Sequence, residues 1–287
     1  MTVIQDNIRV SMDIFALVQN ELAGEVLLTT SKGIYLKFPT RILLLTEDKF
    51  GIIPIGLAMH RFVDFVTLVA PKEGQPVIIK NSTIQFPGGI LLVQWVTEEP
   101  MIHLATPLDY QIRLCAESLV GKCNIRSVAK LASPLLLGRD YFEANTLCNC
   151  SRPNLQLLLD GIRENSASDI DTAVGHLLGL GFGLTPSLDD VLNGLLYGLY
   201  RLAPQKASTV FLAEAILKLS PSRTNEISSA YLNAIAQGGT FSLLDQILMD
   251  LCADVPLDIS SILQIGSSSG SEMLFGLLLA AQISLKG

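Results

Sequence analysis

The chain lacks basic clusters, paired cysteines and any apolar run of membrane-spanning length. Only 16% of its 287 residues are charged, and 20 Lys and Arg against 27 Asp and Glu leave a net charge of −7 and a pI of about 5.0. Binding to a phosphate backbone depends on dense cationic contacts, so no nucleic acid partner is expected. A membrane-surface role fails for the same reason. The apolar stretches 194–203 and 276–285 fall short of the roughly 20 residues a spanning helix needs, and they contain Tyr200, Arg201 and Gln282. The opening Met1-Thr2-Val3-Ile4-Gln5-Asp6 shows no basic patch before an apolar core, so no secretory signal is expected and the cytoplasm is the expected location.

The five cysteines, Cys115, Cys123, Cys148, Cys150 and Cys252, are odd in number and lack the doubled short spacings of a zinc site. They read as free thiols, with Cys148-Asn149-Cys150 as a weak soft-metal alternative. The three histidines, His60, His103 and His176, form no metalloprotease-type pair. His176 precedes a glycine-rich loop and is read either as facing a pocket or as a partly buried structural imidazole.

What is abundant is apolar. Hydrophobic residues make up 49% and the mean hydropathy is +0.44. Either the interior is large or a partner covers part of the surface, which implies a homo-oligomer or other subunits. The length suits two domains. Before residue 107, short Val- and Ile-rich runs (around 25–30, 34–38, 42–45, 51–56, 77–80, 83–86 and 91–96) are separated by turn residues. They predict an antiparallel β domain, a barrel or a sandwich, over 1–106. Lys37, Lys80 and Arg61 there face a ligand or, as the plainer alternative, belong to solvated strand faces. From 107 to 287 the apolar period is helical, and an α-helical domain is expected with helices near 108–120, 124–137, 154–164, 168–179, 186–202, 208–219, 225–237, 241–252 and 271–285. The fold class is therefore α+β.

The most informative stretch is Gly179-Leu180-Gly181-Phe182-Gly183-Leu184-Thr185-Pro186-Ser187-Leu188-Asp189-Asp190, followed by Asn193-Gly194. Glycines at alternate positions allow a tight turn close to a ligand, and Thr-Pro-Ser begins a helix. Helix N-termini offer unsatisfied N–H donors to anions, yet here two carboxylates occupy the first turn. Ser187 and Asp190 have the spacing of a capping box. Asp189, rotated about 100° from Asp190, points toward the glycine loop and is the candidate catalytic acid or base. It is also the one metal candidate, for Mg2+. No cofactor is otherwise called for.

A second copy of this pattern lies near the C-terminus. Ser187, Asp190, Leu192, Gly194, Leu195 and Leu196 match Ser269, Glu272, Leu274, Gly276, Leu277 and Leu278, position by position. Glycine inside a helix costs about 1 kcal/mol relative to alanine, so Gly194 and Gly276 suggest close helix contact. Two such helices packed at their glycines would bring the loops 181–190 and 266–272 together as half-sites of one pocket. The plainer alternative is that two helices share one capping grammar.

The first motif, the segment Thr224-Asn225-Glu226-Ile227-Ser228 with Ala234 and Gly238, and Ile265-Gly266-Ser267-Ser268-Ser269-Gly270 together resemble the AllH-type subunit family of oxamate carbamoyltransferase. The resemblance covers mainly residues 170–285. Leu188 stands where a glycine is usual, Ser267 where a histidine is usual, and Glu272 where an aspartate is usual. The resemblance implies a subunit of a multi-subunit enzyme of purine-derived nitrogen breakdown, in which carbamoyl phosphate and oxamate interconvert with oxalurate and phosphate. Its pocket would draw on Gly181, Gly183, Thr185, Ser187, Asn193, Thr224, Ser228, Ser268, Ser269, Gly270 and Glu272. Arg223 would hold a small anionic metabolite; otherwise it pairs with Glu226 at i+3. The alternative to a catalytic subunit is a noncatalytic scaffold or small-anion-binding subunit. A metal-dependent hydrolase is less favoured, because no water-activating His-Asp set is visible.

Overall fold

The computed structural model describes residues 2–98, 105–139 and 145–285; His103 and part of the 100–107 transition lie outside them. The described residues divide into two compact units, residues 2–98 with 239–243, and residues 105–238 with 244–285.

The first unit is a closed eight-stranded barrel of β1 (Thr2–Ser11), β2 (Leu22–Thr29), β3 (Gly33–Lys37), β4 (Ile42–Glu47), β5 (Gly56–Met59), β6 (Pro76–Lys80), β7 (Thr83–Phe86) and β8 (Gly89–Glu98). Around the barrel the order is β1-β5-β4-β3-β2-β6-β7-β8. The barrel alternative is therefore the one realised. Six neighbouring pairs are antiparallel, as expected, and two are parallel: β1 with β8 from Thr2↔Gly89 to Ser11↔Glu98, and β4 with β5 from Leu44↔Gly56 to Glu47↔Met59. Closure by the first and last strands leaves no open edge. The run 51–56 reads as a strand but mostly forms the crossover between β4 and β5, which starts the latter only at Gly56.

Alternate residues fill the barrel, among them Ile4, Ile8 and Val10 of β1 and Leu91 and Val93 of β8. Two helices the sequence reading passed over, α1 (Met12–Val18) and α2 (Phe62–Val69), add Ile14, Val18, Phe62, Phe65 and Val69 to this core. The Phe65 ring meets that of Phe86 at 5.3 Å between centroids. Lys80 pairs with Glu21 at 2.5 Å and Arg61 with Asp64 at 2.9 Å, both pairs well exposed, which accords with solvated faces.

The second unit is helical: α3 (Asp109–Lys122), α4 (Ala132–Leu136), α5 (Thr146–Glu164), α6 (Ala167–Leu177), α7 (Ser187–Leu202), α8 (Ala207–Arg223), α9 (Glu226–Ala236), α10 (Ser242–Cys252, its first residues counted with the barrel unit) and α11 (Ser269–Leu285). Two helices overrun their expected ends through a proline, α5 at Pro153 and α8 at Pro221. An interior proline costs a helix about 3 kcal/mol. Cys148, Ser151 and Ser220 are buried on the affected turns.

At the centre lie α7 and α11. Every residue of α7 from Ser187 to Leu199 is buried, and so is α11 from Gly270 to Ala281. Helices apolar all round belong in an interior, and this pair accounts for much of the high mean hydropathy. They run parallel. Thr185 meets Ser269 at their N-terminal end, Gly194 lies against Met273 and Leu277, and Gly198 lies against Leu277 and Ala280 further along. A Cβ on Gly194 would overlap the Met273 carbonyl oxygen, and one on Gly276 the Val191 carbonyl oxygen. The glycines that match in sequence are thus the points of closest approach.

Gly194→Ala and Gly276→Ala should each destabilise the protein by roughly 2–4 kcal/mol, because the parallel backbones must separate. Gly175→Ala on α6, where a Cβ finds its nearest neighbour, Leu219, at 3.8 Å, should be neutral or stabilising by up to about 1 kcal/mol. Urea unfolding of the three variants checks this; equal effects would remove the close-contact reading.

Candidate functional site

Between α6 and α7 the chain turns on Gly179, Gly181 and Gly183, with φ of 79°, 119° and 100°. Gly181 sits so tightly on the helix start that a Cβ there would overlap the Ser187 nitrogen. Leu188 N–H donates to the Leu180 carbonyl at 3.0 Å, which ties the loop to the first turn. Beyond this stem, Phe182, Gly183 and Leu184 stand out in solvent, Phe182 at 90% exposure.

The expected capping box does not form. Pro186 takes the N-cap position, so Ser187 is already inside the helix, and Asp190 reaches past it to accept from the Thr185 hydroxyl at 2.9 Å. The Pro186 carbonyl accepts from the Asp189 and Asp190 N–H groups. Asp189 does point to the glycine loop, as expected, but its oxygens are engaged there. Oδ1 accepts from Gly179 N–H at 2.7 Å, and Oδ2 accepts from the hydroxyls of Thr224 and, at 2.6 Å, Ser228. One carboxylate with no exposed surface therefore binds the loop, α7 and the start of α9 together.

Thr224 and Ser228 reach the cluster because Asn225 caps α9, accepting from Ser228 N–H at 3.0 Å. Pro221 to Arg223 close α8, and Arg223 is exposed in its last turn. Only its backbone adjoins the loop, the Arg223 carbonyl lying where a Cβ on Gly179 would stand. His176 is exposed at the end of α6, neither part-buried nor bonded into the cluster. Cys148 is buried and Cys150 exposed, so the two thiols do not converge.

The second loop meets the first. The hydroxyls of Thr185 and Ser269 are 3.1 Å apart, and Ser269 also bonds Asp190. Glu272, on the first turn of α11 and 1% exposed, accepts from Ser268 at 3.1 Å and Ser127 at 3.2 Å, and it bonds Ser187. Gly270 is a packing residue: a side chain there would overlap the Ile262 carbonyl, and its N–H donates to Ile265. Asn193 follows one turn after the two aspartates and is buried. Two contributors escaped the sequence reading, Ser127 and Ser271, whose hydroxyls lie 3.3 Å apart beside Glu272. Ser127 is 145 residues from Glu272, and its only local signal is a turn in which it accepts from Ala129 N–H. A separate cleft of about 350 Å³, lined by Tyr110, Leu114, Cys115, Val255 and Leu257 among others, contains none of the motif residues.

The joined loops thus gather three buried carboxylates whose partners are hydroxyls and the backbone N–H groups of Gly179 and Val128. Burial raises the Asp190 carboxyl well above its usual range, and the charge of Glu272 adds to the effect. Burial also raises Glu272 and Asp189, with their hydrogen bonds opposing it. Among the described residues no three Asp, Glu, His or Cys side chains are grouped to hold a metal. The folded state retains protons on these carboxyls that the unfolded chain loses above about pH 4. Stability from this source is therefore full below that pH and falls as pH rises through the elevated folded values. Asp190→Asn should melt higher than the wild type near pH 8, and the difference should shrink as pH drops toward about 4. Melting curves across that range check it, and a pH-independent difference would count against the buried pair.

Residues 177–281, just over a third of the chain, match the family model described as oxamate carbamoyltransferase subunit AllH. No solved structure matches the chain. The matched region contains both loops, α7 to α10 and most of α11, so the motifs that resemble the family are the ones that build the cluster. By this match the stretch from residue 177 to 281 is AllH-like, and the family it matches is described as one subunit of an enzyme.

Proposed function

We propose that the protein is a subunit of a carbamoyltransferase-like enzyme and that its helical unit handles a small carboxylate or amide metabolite of the oxamate, oxalurate or carbamoyl phosphate type. One observation carries the reading: the two repeated loops meet at Thr185 and Ser269 and set Asp190 and Glu272 behind them, inside the region of the family match. Carbamoyl transfer requires positioning and donors directed at developing oxyanion charge, and hydroxyls at a helix N-terminus supply such donors. The exposed Gly183 belongs to the outer wall of this site, and Thr185, Ser268 and Ser269 to its mouth. Asp189 holds the walls in register, and Asp190 and Glu272 become the acid-base candidates. Other subunits complete the enzyme, the reaction belongs to the breakdown of purine-derived nitrogen, and the five free cysteines suit a cytoplasmic location.

The second reading is a noncatalytic scaffold subunit. Phe182 and Leu184, large apolar side chains exposed at the loop tip, favour it as contact points for a partner chain.

A thermal-shift panel of oxamate, oxalurate and carbamoyl phosphate, each with and without Mg2+, separates the two. A ligand at about 100 times its dissociation constant stabilises the native state by ~2.7 kcal/mol, and each kcal/mol raises the melting point of a chain this size by roughly 2–4 °C. At least one such rise is expected. No response to any ligand moves the assignment to the scaffold.

A further inference from the structure

The cleft of about 350 Å³ beside α3 is shaped as a ligand site and holds none of the residues of the two loops. Tyr110, Leu114 and Ser118 recur at every fourth residue of α3 and so share one stripe of the helix, which forms one wall. The other wall is the segment from Asp254 to Leu257 that follows α10. Its volume lies within the range of about 300–1,000 Å³ usual for small-molecule pockets.

Hydrogen bonds across the cleft fix its walls. Gln111 is 3% exposed, and its side-chain amide donates to the carbonyls of Ala253 at 3.0 Å and Val255 at 2.8 Å. Leu108 N–H donates to the Leu251 carbonyl at 2.8 Å, and the Tyr110 hydroxyl donates to Asp254 Oδ1. A cleft tied in this way is already formed before a ligand arrives, which lowers the ordering cost of binding.

The lining determines what fits. Leu114 and Val255, both exposed, leave large apolar side chains at the rim. Cys115 lies buried in the lining, and burial pushes its thiol up to about 12, so it is a neutral, apolar surface and not a nucleophile. No Lys, Arg or His lines the cleft, and its single charged group is the Asp254 carboxylate. Lys122 acts on Cys115 and Asp258 without lining it, and Arg113 pairs with Asp109 at 3.5 Å. Asp254 Oδ2 has no hydrogen-bond partner among the described residues. An anionic ligand would meet this carboxylate with nothing to offset the repulsion. An ammonium group would satisfy it, with the aromatic ring of Tyr110 bonded to the same carboxylate.

We propose that this cleft binds a small organic cation, a primary amine with an apolar body. The ammonium group pairs with Asp254 beside Tyr110, and the apolar body lies against Leu114, Val255 and Leu257. The half-buried Ser118 hydroxyl adds a neutral polar contact. This site stands independently of the loop cluster and of the reaction assigned to it.

Phenethylamine and hydrocinnamate probe the cleft, since they are close in shape and opposite in charge. Calorimetry on the full chain should show phenethylamine binding about fivefold or more tighter than hydrocinnamate, and binding should weaken as salt is raised. Asp254→Asn keeps an acceptor for Tyr110 and removes the charge at an exposed position, so its melting point should match that of the wild type. It should weaken phenethylamine roughly threefold to fivefold and erase the discrimination between the probes. Ser118→Phe sets a ring into the cleft and should abolish binding of phenethylamine; Asp254→Asn alone decides the matter if that variant fails to fold. No binding of phenethylamine to the wild type, equal binding of the two probes, or affinity unchanged by Asp254→Asn overturns the cation site. Affinity unchanged in folded Ser118→Phe places the amine elsewhere and overturns it too.

Discussion

The contact on which the helical unit depends is the close parallel approach of α7 and α11 at Gly194 and Gly276. Each glycine lets a backbone carbonyl of the other helix occupy the space of a side chain, Met273 in one direction and Val191 in the other. Because the two segments match at Ser, acid, Leu, Gly, Leu and Leu, the approach is close to symmetric, and those positions are brought together at the same height on the two helices. Ser187 and Ser269, and Asp190 and Glu272, are such positions. The meeting of the two loops follows from the glycines. With larger residues there, the helices would stand apart by the width of a side chain, and the Thr185–Ser269 contact would open.

Placing acids at this point carries an energetic cost. Helix N-termini favour negative charge, and that stabilises Asp189 and Asp190 in the first turn of α7 and Glu272 in that of α11. Full burial opposes it by disfavouring ionised carboxyls. Hydroxyls resolve the conflict, since Ser and Thr side chains donate to a carboxylate without bringing a second charge. The seven around these acids, Ser127, Thr185, Ser187, Thr224, Ser228, Ser268 and Ser269, come from four separate parts of the chain. Asp189 acts as a tie between elements, bonding the glycine loop and the start of α9. Asp190 and Glu272 face each other across the half-sites, where a proton has somewhere to go.

The exposed tip of the glycine loop is the counterpart of this buried cluster. The stem is fixed by Gly181 against Ser187 and by the Leu180–Leu188 hydrogen bond, while Phe182 and Leu184 project into solvent. Apolar side chains displayed beside a polar site suit either a partner that completes the enzyme or a ligand that they help to enclose, and both uses accord with the family description of a subunit.

Much of this was legible in the chain itself. Turn-punctuated Val and Ile runs specify strands, since they alternate at the strand period; helical spacing specifies helices; and the repeated Ser-acid-Leu-Gly pattern, with its interior glycines, specifies a helix pair in close contact. Those are local properties, decided within a turn or two of backbone. Partners of side chains are not. The capping box failed because Pro186 took the cap, Arg223 went to the end of α8 because that helix runs on through Pro221, and β4 and β5 run parallel because a short crossover turned the chain. Ser127 reaches Glu272 across 145 residues, and no local pattern encodes such a distance. The division of labour between Asp189 and Asp190 was set by tertiary structure alone. One residue of rotation on the helix aims each at a different neighbour, and the sequence names the acids while the packing of α9 and α11 chooses what they meet.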